Sequence, residues 1–535
     1  MGRTTSRGIA GRGVTGRGIV GAAGYVPHHR LRRAAVAELF GSGGGKGTRS
    51  VAGHDEDTTT MGVEAARLAL RSRPGVAADT LWFATASPAY LDKTNAATIH
   101  AALRLPAEVP AFDFGGALRS GTGALAAALA GSGTVAVVAA DQRDGLPTGP
   151  DESSGGDGAA AVVVGDGSGA APVLAEHLGG ASATDEFVDR WRTPGQARSR
   201  TWEERFGETR YLALGRDAWN RALKDAGVDA ATVDRVAVSG MHPRAVKALG
   251  AKLGVGDGAV VDDLSATVGQ TGTAHPLLLL AATLEDEAAR ARAQAQPQPE
   301  AQAQAQPEAE PEAEPAAAGG GRVLAVVHLA DGADVQLFRT TADLAGWTPA
   351  RPVAEQVAGG AEVGYGKFLS WRGMTTVEPP RRPEPQRVSS TAAWRNEDWK
   401  FGFVGSRDRS SGAVHLPPAR VSMAGGAVDD MDPAPMADAV GTVVTFTVDR
   451  MAYSPSPPTV FAVVDFDGGG RFPLELTDVD ADALATGDRV AMTFRRLFTA
   501  DGIHDYFWKA VPVRGLRADG DANGDGEAAS NEEEA

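Results

Sequence analysis

Any covalent chemistry in this chain must do without a thiol, because none of its 535 residues is cysteine. Disulfides, thiolate metal sites and a thiolate nucleophile are excluded together. Ten histidines remain as candidate bases. His242 stands just after the strand-like VAVSG and directly before Pro243. A histidine there serves either as a base at a strand end or as a capping or packed side chain. GSGGGKGT (41–48) invites a phosphate-loop reading. Its spacing fails, since Phe40 holds the first glycine position and Gly47, not a hydroxyl residue, follows Lys46. In DGDANGDGEAAS the residues Asp519, Asp521, Asn523, Gly524 and Asp525 stand at calcium-loop positions, but Ser530 occupies the last ligand position. That loop needs a bidentate glutamate there, so a solvated acidic tail is expected over 516–535.

The elements that must position these residues alternate between strand and helix. GIVGAAGYVP, LWFATAS (81–87), TVAVVAAD (134–141) and AAAVVVGDG (159–167) are apolar runs of strand length, as buried central strands are. Thr60–Arg71 places Met61, Ala65 and Leu68 at near-helical spacing. The theme repeats with VDRVAVSG (233–240) as a strand, then AVKALGAKLG (245–254) and PLLLLAATLEDEAARAR (276–292) as helices. RVLAVVHLADGADVQLFRTT predicts a hairpin turning at Asp331–Gly332 that returns to the sheet. The fold class is α/β in two successive β/α halves, 18–168 and 169–342, with residues 1–17 as a flexible extension. Residues 293–321 are low-complexity Ala, Gln, Glu and Pro, hence a disordered insertion. Residues 343–400 read as a connector. Over 401–515 short strand-like runs separated by turn residues predict a small all-β barrel.

Composition narrows the function classes. The formal charge of −16 argues against a nucleic-acid binder, whose phosphate contacts need clustered Lys and Arg. Phe461, Phe466, Tyr506, Phe507 and Trp508 could stack on bases, but alternating aromatics in a small barrel are expected to be core. No apolar run reaches the ~18 residues of a membrane span, and no apolar signal core follows the basic N-terminus. The expected compartment is the cytoplasm, without membrane or nucleic-acid partners.

Three stretches, GKGTRSVAGHDEDTTTMGVEAARLAL (45–70), DRWRTPGQARSRTWEERF (189–206) and MHPRAVKALGAKLG (241–254), resemble 3-hydroxy-3-methylglutaryl-CoA synthases, and more broadly β-ketoacyl-ACP synthase III-like enzymes of the thiolase fold. GGDGAAAVVVGDG (155–167) resembles the Gly-Asp-Gly strand entry of that fold. The resemblance covers roughly 18–342 and implies a layered, thiolase-like α/β fold. In such enzymes a cysteine at a helix N-terminus attacks the thioester; the matching stretch AFDFGGALRSGTGAL (111–125) puts Leu118 at its place. Ser120 and Thr122 are the nearby hydroxyls. Ala86, in ATAS (84–87), stands at the position of the glutamate general acid/base. The resemblance assigns His242 to the family's histidine, Lys247 to a lysine meeting a CoA phosphate, and Gln270 in VGQTGTA (268–274) to the usual asparagine.

The C-terminal part, about 385–515, resembles OB-fold domains associated with acyl-CoA proteins and preceded by a zinc ribbon, on FVGSRDRSSGAVHLPPARVS (403–422). Asp408 and Ser411 stand at the first cysteine pair, Ser422 and Gly425 at the second. Zinc needs four good ligands, so no bound metal is expected, and His415 alone does not restore a site. Together the resemblances imply acyl-CoA as ligand, no required cofactor, and pairing as a homodimer or with a cysteine-bearing thiolase-fold protein. The expected role is a non-catalytic acyl-CoA-binding or scaffold subunit. The alternative is an acyltransferase or condensing enzyme of altered, cysteine-independent mechanism with His242 as base.

Overall fold

The computed structural model describes residues 16–169, 171–295, 321–378 and 380–517. These fall into two units, one running to Glu378 together with Arg496–Phe498 and the other formed by the rest. The expected N-terminal extension, most of the low-complexity insertion and the acidic tail lie outside the described residues.

Nine strands build one sheet in the first unit: β1 Gly18–Tyr25, β2 Thr80–Thr85, β3 Ala111–Gly115, β4 Val135–Asp141, β5 Gly158–Gly165, β6 Ala175–Thr184, β7 Arg235–Gly240, β8 Val323–Leu329 and β9 Gly332–Thr340. Their spatial order is β7-β8-β9-β6-β1-β5-β4-β2-β3. β1, β4 and β5 are buried along their whole length, which is why both faces of each are Val, Ala or Gly apart from Ile19, Tyr25 and the terminal Asp141. The order contains the same path twice. In the first half β1 pairs antiparallel with β5, β5 antiparallel with β4, and β4 parallel with β2. In the second half β6 pairs antiparallel with β9, β9 antiparallel with β8, and β8 parallel with β7. Even β3, parallel to β2 at the edge, has a remnant counterpart in the parallel bridge of Val260 to Val236 on β7. The predicted hairpin at Asp331–Gly332 joins β8 to β9 and returns to the sheet against β6.

Five helices matter for the site: α1 Thr58–Arg71, α2 Ser120–Ala130, α3 Glu204–Ala226, α4 Pro243–Gly250 and α5 His275–Ala295. Asp57 starts α1 with a capping box, accepting from Thr60 N at 2.9 Å while Thr60 Oγ1 accepts from Asp57 N. In α5 the four consecutive leucines 277–280 are all at most 1% exposed, so its first turns are enclosed on every side. It packs with α2 and strands from both halves into one continuous core. Residues 343–378, expected as connector, contribute to the core of the first unit instead. Leu344, Trp347 and Val353 join the cluster around α5, and Tyr365, Phe368 and Leu369 build another around Leu31 and Val51. Their apolar spacing was masked by prolines and arginines on either side.

In the second unit, β10 Val404–Asp408, β11 Val414–His415 and β12 Met431–Pro435 form a three-stranded sheet in the order β11-β10-β12. The barrel strands β13 Val440–Asp449, β14 Thr459–Phe466, β15 Arg471–Leu476, β16 Asp488–Ala500 and β17 Ile503–Arg517 close in the order β13-β14-β15-β17-β16. Phe466, Tyr506 and Trp508 are buried, whereas Phe461 is 47% exposed. Phe507 packs on Trp399 and Phe403. The aromatics are core, with Phe461 the exception.

Candidate functional site

The site lies where the ends of β4 and β7 meet the starts of α2, α4 and α5. Asp141, the last residue of β4 and fully buried, fastens these pieces. Its carboxylate accepts from Ala86 N at 2.7 Å, Thr85 Oγ1 at 3.0 Å and Thr273 N at 2.8 Å. The strand end carrying Ala86 is thus bound to the segment that opens α5, and the Arg192 guanidinium also donates to Ala86 O. Ala86 itself is buried. Asp157 of the Gly-Asp-Gly motif is a second fully buried hub. It accepts from Ala52 N at 2.7 Å and Arg143 N at 2.8 Å, and pairs with Arg49 and Arg372. The preceding Gly156 is required by packing, because a Cβ there would lie 1.9 Å from Val268 O. That close crossing sets Gln270 beside Gly155, to which it forms a parallel bridge.

Leu118 is partly buried and sits two residues before α2. The next residue, Arg119, makes a bidentate pair with Asp334 of β9, at 2.8 and 2.9 Å. Thr122 Oγ1 and Ser182 Oγ donate to the same carboxylate at 2.8 and 2.6 Å. Burial alone would raise the Asp334 carboxyl, but these partners outweigh it and hold it below the ordinary range. Ser120 Oγ donates to Gly115 O at 3.3 Å. Among the described residues, the one base in contact with a hydroxyl of this turn is the Asp334 carboxylate at Thr122, and it is already paired with Arg119.

A cavity of ≈ 340 Å³ opens at the end of β7 and the starts of α4 and α5, lined among others by Arg33, Lys46, Ser239, Met241, Gln270 and His275. Gln270 Nε2 donates to Gly240 O at 2.9 Å, while its buried Oε1 has no hydrogen-bond partner. Ser239 Oγ lies 2.7 Å from His328 Nδ1, the two residues standing opposite each other on β7 and β8. His328 Nε2 is directed at the Leu118 backbone without reaching hydrogen-bond geometry. Burial pushes the His328 and His275 imidazoles down to about 4, so both are neutral at pH 7.

His242 does not face this cavity. It is the N-cap of α4: Nδ1 accepts from Ala245 N at 3.2 Å and Nε2 donates to Glu204 O at 2.8 Å. Both ring nitrogens are engaged, and the residue that lines the cavity is Met241, one position earlier. Pro243 at the first helical position fixes this outcome, since it starts the helix and turns the preceding side chain into its cap. Lys247 is exposed on α4 and is not a lining residue, although Pro243 and Val246 of that helix are. Gln270 alone of the five expected site residues lines the cavity. Sequence reading missed Ser239, His328, His275 and Arg33. The available signal was a Ser and a His near the ends of two valine-rich strands whose other positions, Arg235 apart, are apolar or glycine.

In the second unit, the four positions expected to carry cysteines do converge. Asp408 Oδ2 accepts from Ser411 Oγ at 2.6 Å and Oδ1 from Ser410 Oγ at 2.8 Å. Ser422 also hydrogen-bonds this carboxylate, which the three hydroxyls hold well below the usual carboxylate range. A Cβ on Gly425 would lie 3.8 Å from Asp408 Oδ2. Among the described residues no group of three or more His, Cys, Asp or Glu could hold a metal, and no helix is long and apolar enough to cross a membrane.

Comparison with known proteins agrees with this architecture. The chain is 31% identical over 223 residues to the hydroxymethylglutaryl-CoA synthase of Pyrococcus furiosus, covering 40% of this chain and 63% of that protein. The match therefore spans less than two thirds of that relative. The synthase of Thermococcus gammatolerans is 28% identical over 278 residues, 50% of this chain and 78% of that one. Two solved structures share the fold over 70% of this chain and 94% of theirs. MvaS in complex with 3-hydroxy-3-methylglutaryl coenzyme A has a TM-score of 0.50 at 19% identity, and HMG-CoA synthase complexed with CoA has 0.51 at 16%. Residues 435–495 match the model of the ChsH2 C-terminal OB-fold domain. The first unit is a thiolase-type fold related to the hydroxymethylglutaryl-CoA synthases, and the second carries an OB-fold barrel.

Proposed function

We propose that the first unit binds an acyl-CoA thioester but does not carry out its relatives' condensation, and that it serves as a subunit of a thiolase-fold acyltransferase assembly. The observation that carries this reading is the environment of Leu118. The turn that would present a nucleophile at the start of α2 is kept, with Arg119 anchored on Asp334, yet the side chain at its tip is aliphatic. An alkyl group cannot attack a thioester, and the methyl of Ala86 can neither give nor take a proton. His242, committed as a cap through both nitrogens, is not available as the base of an altered condensation.

What the site retains suits binding. Arg33 and Lys46 border the cavity and supply positive charge for a phosphate-bearing carrier. The unpartnered Gln270 Oε1 is an acceptor for an amide N–H, of which the pantetheine arm has two. Two similarly folded structures hold CoA or its hydroxymethylglutaryl thioester. β3 ends the sheet with an open hydrogen-bonding edge, which fits a second thiolase-fold chain, either a copy or a cysteine-bearing homologue.

Calorimetric titration with acetyl-CoA and a condensation assay with acetyl-CoA plus acetoacetyl-CoA test the reading together. Saturable binding with condensation at the buffer rate is expected. Condensation above background would overturn it, and so would the absence of binding.

A further inference from the structure

We infer that Ser239, which lines the cavity, and its neighbour His328 form a serine–histidine acyl-transfer pair, with Ser239 Oγ as nucleophile toward an acyl thioester. This rests on the acyl-CoA reading above and adds to it a reaction other than condensation.

The geometry begins with the strands. β7 and β8 run parallel in register, Ala237 opposite Val326 and Ser239 opposite His328. Two residues earlier on the same face the pair is purely apolar and belongs to the core around α5. At Ser239 and His328, each 1% exposed, the apolar pattern gives way to two polar groups at 2.7 Å. Burying a hydroxyl and an imidazole there costs desolvation that an Ala–Val pair would not incur. One contact repays part of it, and His328 Nε2 is left short of a hydrogen bond. Ser239 nevertheless borders the cavity, together with Gln270, whose Oε1 is also unpartnered although the residue is only 8% exposed. An unsatisfied acceptor on the cavity wall, beside a hydroxyl whose imidazole partner is itself short of a bond, is what a site has before its ligand arrives.

The protonation states are consistent with this. Burial keeps the imidazole neutral, so it carries one proton. The Leu118 backbone, toward which Nε2 is directed, favours the proton on Nε2, which leaves Nδ1 as acceptor for the Ser239 hydroxyl. This is the arrangement of a serine beside its general base, with the far nitrogen oriented by the main chain. The backbone of the turn that presents Leu118 would thus orient the base.

The step balances without an additional reagent. Ser239 Oγ attacks the thioester carbonyl carbon, and its proton passes to His328 Nδ1. The C–S bond breaks and His328 returns the proton to the departing CoA sulfur, leaving an acyl ester on Ser239. A water molecule then adds to that ester, gives a proton to His328, and the acid leaves as the proton returns to Ser239 Oγ. The sum is thioester plus water giving carboxylic acid plus CoA.

The missing cysteine makes the test direct, because a thiol reagent added to the protein with acetyl-CoA reports only released CoA. Wild-type protein is expected to release CoA above the buffer rate. An acid-quenched sample should show one added acetyl group that peptide mapping places on Ser239. Ser239→Ala and His328→Gln should each lower release by about 100-fold or more, the scale of losing a nucleophile or its base, with acetyl-CoA affinity by titration unchanged. Should Ser239→Ala fail to fold, the mapped adduct on the wild type and the His328→Gln rate still decide. Binding without CoA release, or an adduct on another residue, overturns the pair while leaving the binding reading intact. Loss of binding in the wild type overturns both.

Discussion

At the scale of single residues, Leu118 is the position whose replacement tells most. Leu118→Cys would create the chain's only thiol, two residues before α2, where the unpaired N–H groups and the helix dipole favour negative charge. The expected thiol pKa is below the ordinary value of about 8.5, read from the pH dependence of iodoacetamide alkylation in native protein. A value at or above the ordinary one would mean that the turn no longer presents its tip as a nucleophile site. The same scale shows what was readable from sequence. Leu118, Ala86 and Gln270 were placed by the resemblance to the synthases, on AFDFGGALRSGTGAL, ATAS and VGQTGTA. His242 was assigned by its place in MHP, yet a His directly before a Pro is also the signature of a helix cap, and the cap is what formed. Ser239 and His328 were illegible because each sits in a different valine-rich run. Only the register of β7 against β8 brings them together.

At the scale of elements, the loops around Asp408 bring together the four positions that the resemblance assigns to zinc ligands. Position 408 ends β10, and 411, 422 and 425 lie in the two turns that face it. A carboxylate that accepts hydroxyl bonds from both turns does by hydrogen bonding what a central cation would do by coordination. The hydroxyl bonds to Asp408 hold the two turns together. It follows that the variant carrying Asp408→Cys, Ser411→Cys, Ser422→Cys and Gly425→Cys should bind one Co(II) in a tetrahedral thiolate site, seen as strong visible d–d bands, and exchange it for zinc. Weak octahedral bands or no binding would mean that the four positions only approach one another through Asp408. The converging turns were legible through the resemblance to OB-fold domains that carry a zinc ribbon. The hydroxyl cluster was not, since Ser410 lies outside the cysteine pattern and contributes only through the tight turn that follows Asp408.

For the whole molecule, the duplicated path of the nine-stranded sheet has a consequence for assembly. The alternation of strand and helix disclosed two halves, but their equivalence emerges only from strand order, because hydrophobic pattern does not encode which strands are neighbours. The halves differ at their outer ends. At the β7 end the outermost position is a single bridge at Val260, too short to serve as a template for another chain. At the other end β3 is a five-residue edge strand with Phe112 55% exposed. No proline, lysine or arginine guards it, and Asp113, its one charge, is turned to the backbone N–H groups of Asn95 and Ala96 at 2.7 and 2.8 Å. An unguarded edge with an exposed aromatic is expected to pair with a second thiolase-fold chain. The purified protein should therefore have the mass of a dimer by light scattering, and Phe112→Lys should shift it to monomer without changing the far-ultraviolet circular dichroism. If the wild type is monomeric, the same edge is expected to capture a cysteine-bearing homologue, and Phe112→Lys should abolish that capture. A dimer that survives Phe112→Lys would place the interface elsewhere and remove β3 from the account of how this fold assembles.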